Sequence, residues 1–345
     1  MPGSIRFMTG NAAPRISVVM CTYRGAAFVE EQLASILAQS VLPHELVLGD
    51  DGSDDGTVEL VRAALARSGS ADRQPIELIE LLRDPADHPA PYGVAGNFAR
   101  ALAAATGEVI LLSDQDDRWH EHRVARTLEL LAARPEVGLV HSDARLVDGT
   151  GRPLGVTLFE ALGVTATELA EIDAGRGFEV SLRRNLVTGA TAAVRRRIVQ
   201  AALPIPEGWI HDEWLAIVAG ATGATAVIRE PLIDYRQHGA NQIGAEKLSW
   251  RTRWARLREP RTARNRRLER RAASLAERLP LLEPAVAADA VRSAQEKHAH
   301  ERMRSALPRN PLARLRPVLA EWRTGRYRHY GLGAQDVLRD LVQPD

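Results

Sequence analysis

The chain has 345 residues, 45% of them hydrophobic and 26% charged, the composition of an ordinary globular protein with core enough for two units. Its single cysteine, Cys21, excludes an internal disulfide framework, and no run of 18 apolar residues or basic-then-apolar leader is found; the expected location is therefore the reducing cytoplasm or the inner face of a membrane. A net charge of +1 conceals an asymmetry: residues 246–345 hold 23 Lys+Arg against 12 Asp+Glu, and residues 1–245 hold 22 against 32, so an acidic body precedes a basic tail.

In chain order, residues 1–14 read as a flexible leader. Ile16 to Met20 is a first strand, and the apolar positions Val29, Leu33, Ile36 and Leu37 predict an amphipathic helix over 28–39. A second strand, 45–49, runs into Asp50-Asp51-Gly52-Ser53-Asp54-Asp55-Gly56-Thr57 and a helix from Val58 to about Ala66. A third strand spans 76–82. A Pro/Gly-rich loop then leads to a helix that Asn97 opens and Gly107 closes. The fourth strand, 109–112, breaks off in Ser113-Asp114-Gln115-Asp116-Asp117; a helix carrying Val124, Leu128 and Leu131 follows, then a strand at 137–140. This alternation predicts an α/β domain over 15–245, with a mostly parallel sheet covered by helices. Residues 152–180 read as a loop, 185–194 as strand plus loop, 209–219 as the approach to a helix, and 224–228 as a short strand ended before Pro231. Residues 246–345 read as a helical region interrupted at Pro260, Pro280, Pro284, Pro308 and Pro311.

Ligands of such sheets bind at the carboxyl ends of the strands, and three polar clusters fall there: 21–24, 50–55 and 113–117. The acid pair Asp114 and Asp116 can hold a hard divalent cation and leave coordination sites for a diphosphate; an acidic helix cap is the alternative, with Asp117 suited to it. Asp51 can accept a hydrogen bond from a base or ribose, while Asp54 or Asp55 caps the next helix. An EF-hand at 51–62 is excluded, because Arg62 stands where a bidentate Glu is required. Thr22 and Tyr23 can flank a base, and Arg24 sits in a turn suited to phosphate, although neither GxxxxGK[ST] nor GxGxxG is present. Asp212 in His211-Asp212-Glu213-Trp214 lies at a helix start, which favours its ionised form, the state a general base needs; a cap is again the alternative. His238, in Tyr235-Arg236-Gln237-His238-Gly239, is a candidate metal ligand or phosphate donor.

Six elements in this order, 17–23, 50–57, 97–100, 112–119, 211–214 and 235–238, resemble the family 2 glycosyltransferases over residues 15–245. The Ser-Asp-Gln-Asp-Asp and Tyr-Arg-Gln-His elements look most like bacterial polysaccharide enzymes of the rhamnosyltransferase type. The resemblance implies a GT-A (Rossmann-like) fold and inverting, non-processive transfer from a nucleoside-diphosphate sugar, dTDP-rhamnose or a UDP-hexose, to a hydroxyl of a glycan, lipid-linked or small-molecule acceptor. It implies that Thr22, Tyr23, Arg24, Asp51, Asn97 and Asp114 bind the donor with Gly189, Ala190 and Thr191, and that Asp116, Asp114 and His238 serve a divalent metal, Mg²⁺ or Mn²⁺. Asp212 is then the general base. No QxxRW element follows it, which sets the chain apart from processive synthases. The competing expectations are an inactive sugar-nucleotide-binding scaffold and a sugar nucleotidyltransferase, the latter disfavoured by a first turn whose one cation is Arg24.

The tail concentrates ten arginines between 251 and 271, and Trp250, Trp254 and Leu257 recur at helical spacing. Packing on the acidic body, homodimerisation and contact with an anionic membrane surface all suit this pattern; no nucleic-acid recognition module is seen, and nucleic acid is not an expected partner.

Overall fold

The computed structural model describes residues 13–68, 75–237, 260–283 and 285–344. His238 and the segment holding Trp250, Trp254 and Leu257 lie outside the described residues.

The first half alternates as the apolar runs dictate: β1 (Ile16–Thr22), α1 (Val29–Leu37), β2 (Glu45–Asp50), α2 (Thr57–Ser68), β3 (Glu77–Leu82), α3 (Gly93–Ala104), β4 (Val109–Ser113), the two-residue β5 (Arg118–Trp119), α4 (Arg123–Ala133) and β6 (Val137–Asp148). Then come β7 (Pro153–Thr157), α5 (Leu158–Leu162), α6 (Ala166–Asp173), α7 (Gly177–Arg183), a 3-10 turn (Gly189–Thr191), β8 (Ala192–Arg195), α8 (Arg196–Ala202), α9 (His211–Thr222) and β9 (Ala224–Gln237). The strands make one sheet in the order β3-β2-β1-β4-β8-β6-β9-β5, with β7 added beside β6. β1 to β4 are mutually parallel, β6 and β9 pair in parallel, and β8, β5 and β7 run antiparallel to their neighbours.

Alternate residues of the central strands feed opposite faces. Val18, Met20, Leu46, Leu48 and Leu111 meet α1, α2 and α4 on one side. Val19, Val47, Ile110 and Leu112 meet α3, α8 and α9 on the other. That second core also takes in Leu275, Leu279, Leu282, Ala294 and Tyr330 of the tail, which forms α10 (Arg261–Arg278), α11 (Ala288–Ser305), α12 (Pro311–Arg323), α13 (Arg326–Tyr330) and α14 (Ala334–Val342).

Two stretches depart from the sequence reading. Residues 152–180 are not a loop but a strand and three short helices, α5 and α6 each opened by a reciprocal Thr-x-x-Glu capping box, Thr157 with Glu160 and Thr165 with Glu168. The short strand expected at 224–228 continues to Gln237. Its register against β6 jumps from Ser142↔Ile228 to Asp143↔Pro231, so Pro231 sits at a bulge where the missing N–H interrupts no ladder.

Candidate active site

The chain lays β1, β2 and β3 side by side outward, then returns to place β4 on the other flank of β1. A reversal of this kind leaves a crevice at the carboxyl ends of the two inner strands. The turn after β1 and the acidic turn after β4 form its lips, and Gln115 joins them: its Oε1 accepts from the Tyr23 N–H (2.9 Å) and its Nε2 donates to the Tyr23 carbonyl (3.2 Å). A Cβ on Gly25 would lie 2.3 Å from Gln115 Oε1, so this bridge requires the glycine. Tyr23 projects into solvent. Arg24, in the left-handed region at φ 49°, pairs with Asp54 (2.8 Å).

The turn after β2 divides its carboxylates among separate tasks. Asp50 Oδ1 accepts from the Gly52 and Ser53 N–H groups, and its Oδ2 from the Ser53 and Thr22 hydroxyls (2.6 Å each). Thr22 therefore points into this turn and is buried. Asp51 is buried against Arg83 (2.9 Å) and accepts from the Tyr92 and Gly93 N–H groups at the start of α3. Asp55 takes the capping role: it accepts from the Thr57 N–H and hydroxyl and from the Ala26 N–H. Asn97 lies behind β2, 3% exposed, and donates to the Gly49 carbonyl (2.7 Å); it fastens α3 to the sheet.

Opposite, the structure brings Asp114, Asp116, Asp117, Asp212 and Tyr235 into one electrostatic neighbourhood. Burial, then the charges of Asp116 and Asp212, push Asp114 up to about 7. Burial raises Asp117 well above the carboxylate range. Asp117 caps no helix. Its Oδ1 accepts from the Arg236 N–H of β9 (3.0 Å), its Oδ2 has no hydrogen-bond partner among the described residues, and α4 begins six residues later. Arg236 in turn holds the Asp116 carbonyl (2.8 Å), the Gly149 carbonyl and Glu31 (2.6 Å), fixing the acidic turn to α1 and β6.

Asp212 is the second residue of α9 and is buried. The Glu213 N–H donates to its Oδ1 (2.7 Å) and the Gly189 N–H to its Oδ2 (2.9 Å), so both oxygens are aimed by backbone. Burial raises its pKa to about 6 against the opposing pull of those two bonds and of Arg271. Gly189 is required there, since a Cβ would meet His211 Nε2 at 2.7 Å. His211 stacks on Phe98 at 3.9 Å, and burial drives its pKa down to about 3, leaving it a neutral wall. Ala190 and Thr191 are buried in the same 3-10 turn, Thr191 donating to the Thr188 carbonyl. From the tail, Arg271 pairs with Glu213 and stacks on Trp209 at 4.2 Å, and Trp209 Nε1 donates to Ser274 (2.9 Å). α10 thus braces the helix start that carries Asp212.

The oxygen-rich, negatively charged turn fits a hard divalent cation. Asp114 and Asp116 are the residues that would hold it, and such an ion would neutralise charge developing on a diphosphate. Among the described residues no three His, Cys, Asp or Glu side chains are arranged to hold an ion by themselves. Two contributors escaped the sequence reading. Gln115 was visible only as the middle of an acid pair. Arg123, fully buried with its guanidinium 3.9 Å from the Trp119 ring, is the cation beside Asp114 and Asp117, and burial pulls its pKa to about 9. Its signal was available: it falls four residues before Thr127 and eight before Leu131, on the buried stripe of α4.

A mostly parallel sheet with an acidic turn at its switch point and a buried aspartate facing that turn defines an α/β protein with its candidate site at the carboxyl ends of the strands. Residues 17–200, more than half of the chain, match the model of glycosyl transferase family 2, and the chain belongs to that family. It is 27% identical over 230 residues to an uncharacterized glycosyltransferase of Nostoc sp., covering 66% of either chain and so just under two thirds of that relative. It is 26% identical over 243 residues to the dTDP-rhamnosyl transferase RfbG of Shigella flexneri, covering 69% of this chain and 78% of that one. Among solved structures it is similar to S. aureus TarS 1–349 in complex with UDP, with a TM-score of 0.50, 15% identity, and 91% and 74% of the two chains covered. The fold is GT-A, followed by a helical region.

Proposed function

We propose that the protein transfers a sugar, with inversion, from a nucleoside diphosphate to an acceptor hydroxyl, that Asp212 is the general base, and that a divalent cation at Asp114 and Asp116 assists. The observation that carries this reading is the placement of Asp212. Its oxygens are fixed by two backbone N–H groups, its pKa is raised to about 6, and it faces the acidic turn that would hold the leaving diphosphate. A base with a pKa just below the working pH is both ionised and basic enough to take a proton. Inversion needs one displacement and no covalent intermediate, and the site presents one carboxylate suited to the acceptor side. Tyr23, Arg24 and the 189–191 turn line the two sides of the donor path in this reading. Thr22, Asp51 and Asn97 support it from beneath. Likeness to RfbG favours dTDP-rhamnose as donor, with UDP-hexoses next, and residues 15–245 form the catalytic unit with 246–345 bracing it. Asp212→Asn should lower turnover by roughly 10³-fold while donor affinity by calorimetry stays within about twofold. Near wild-type release of nucleoside diphosphate by that variant would refute the base assignment. Thermal-shift screening of sugar nucleotides with and without Mn²⁺ identifies the donor and tests the metal.

A further inference from the structure

α12 is built unlike the other helices. Its inner face is fixed by Arg314, Val318 and Glu321, all buried. Arg314 donates to the Pro308, Arg309 and Gln343 carbonyls, and Val318 joins Leu307 and Tyr327 in a small core of the tail. Its outer face carries Leu312, Leu315, Leu319 and Trp322, 77%, 45%, 49% and 38% exposed. Of twelve large hydrophobic side chains exposed among the described residues, four stand on this one helix, at spacings of three, four and three that align them in a single stripe. At the helical rise the stripe is about 15 Å long. α14 packs beside α12 through Val337 and Leu341 and exposes Leu338 and Val342.

The charges around the stripe have one sign. Between Ser305 and Asp336 the sequence holds six arginines and one carboxylate, Glu321, and Glu321 is buried against His300 (2.8 Å). Arg316 and Arg323 lie on the outer surface of α12, with Arg309 just before it and Arg328 just after. On a helical wheel Arg316 and Arg323 fall along one edge of the Leu/Trp stripe. Four apolar side chains bordered by arginine, with no exposed acid on the helix, complement an apolar layer lying under a sheet of negative charge. The same pattern opposes an antiparallel pairing with a second copy of the chain, because that two-fold contact along the stripe would set arginines against arginines.

We propose that α12 docks the protein on an anionic lipid bilayer, with Leu312, Leu315, Leu319 and Trp322 entering the interface and Arg309, Arg316, Arg323 and Arg328 meeting the headgroups. This surface is separate from the crevice, and the inference stands whether or not the assigned chemistry holds.

The test is flotation of the full chain with phosphatidylcholine vesicles, pure or containing phosphatidylglycerol. The expected result is binding to the anionic vesicles and loss of binding to the neutral ones. Leu315→Ser with Leu319→Ser should weaken binding about tenfold or more. Arg316→Glu with Arg323→Glu, which leaves the apolar stripe intact, should weaken it by at least about tenfold and remove most of its salt dependence. Unchanged far-UV circular dichroism and melting temperature show that these solvent-facing changes leave the fold in place. Three results would each overturn the proposal: no anionic-vesicle binding at low salt, binding that persists in both variants and so resides in the basic 251–271 segment, or a concentration-dependent dimer that Leu319→Glu renders monomeric.

Discussion

Two clusters of charge lie in this molecule, built from the same residue types and held in opposite states. In the tail, Arg304 pairs with Asp340 (2.7 Å), Glu301 (3.1 Å) and Asp336 (3.4 Å). Lys297 completes Glu301, Arg264 completes Asp336, and the Tyr327 hydroxyl and Asn265 complete Asp340. Every carboxylate there has a cation, Glu301 is held down at about 2, and Arg304 is raised. At the strand ends, Asp114, Asp116, Asp117 and Asp212 share a neighbourhood in which Arg123 opposes Asp114 and Asp117 and Arg271 opposes Asp212, yet the shifts run the other way, Asp114 to about 7 and Asp212 to about 6. Burial acts on both clusters; the difference is the supply of positive charge. The tail network is complete within the chain and works for the fold. The strand-end carboxylates stay raised instead, and in the proposed reading a divalent cation and its diphosphate supply the balancing charge.

The comparison can be broken most forcefully in the tail. Asp340→Ala leaves Arg304 and Arg264 sharing Asp336 in a buried setting and strips Tyr327 and Asn265 of an acceptor. Removing one partner of a buried pair costs roughly 3–5 kcal/mol, about 4–7 °C in melting temperature for a chain of this size. A fall of less than about 2 °C in a calorimetric scan would show that the network is dispensable.

At the strand ends the sign should reverse. A carboxyl whose folded pKa is raised contributes its stability below the ordinary pKa of about 3.9 and loses it as pH rises through the folded value, here about 7. Asp114→Asn removes that loss. In metal-free buffer the variant should therefore melt higher than wild type at pH 8, by about 1–2 kcal/mol once solvent screening of this half-buried group is allowed for, with the gain fading towards pH 4. The same variant should lose divalent-dependent donor binding. A variant less stable than wild type at pH 8 would show that the acidic turn is not strained by its own charge.

How far the sequence reveals this design differs between the two clusters. For β1, β2 and β4, short apolar runs ended by polar turns were enough, because each of these parallel strands is buried on both faces and has no polar alternation to confuse it. The acid turn and Asp212 were visible by their order along the chain. Their coupling was not, since it depends on β8 and β9 returning antiparallel and parallel beside β4 and β6. The 152–180 segment hid five- to eight-residue helices too short to show a period, although two Thr-x-x-Glu boxes marked their starts. The tail's charges looked like solvated arginine faces, yet Arg261, Arg304 and Arg314 are almost wholly buried. Composition reports charge, and only packing reports whether a partner is at hand.

The smallest effect tests a contact through which the tail reaches the site. Arg271 pairs with Glu213, stacks on Trp209 and lowers the pKa of Asp212. Arg271→Gln removes a positive charge and leaves Glu213 as an unneutralised neighbour, and both changes disfavour the Asp212 carboxylate. With Asp212 as the proposed base, activity requires that carboxylate ionised, so the acidic limb of kcat/KM, expected near pH 6, should move upward by about half a unit. At pH 6 the variant should run at about half the wild-type rate, and at pH 8 the two should converge. An equal loss at every pH would mean that Arg271 acts through the packing of α9 alone. A limb displaced downward would mean that a group other than Asp212 sets it.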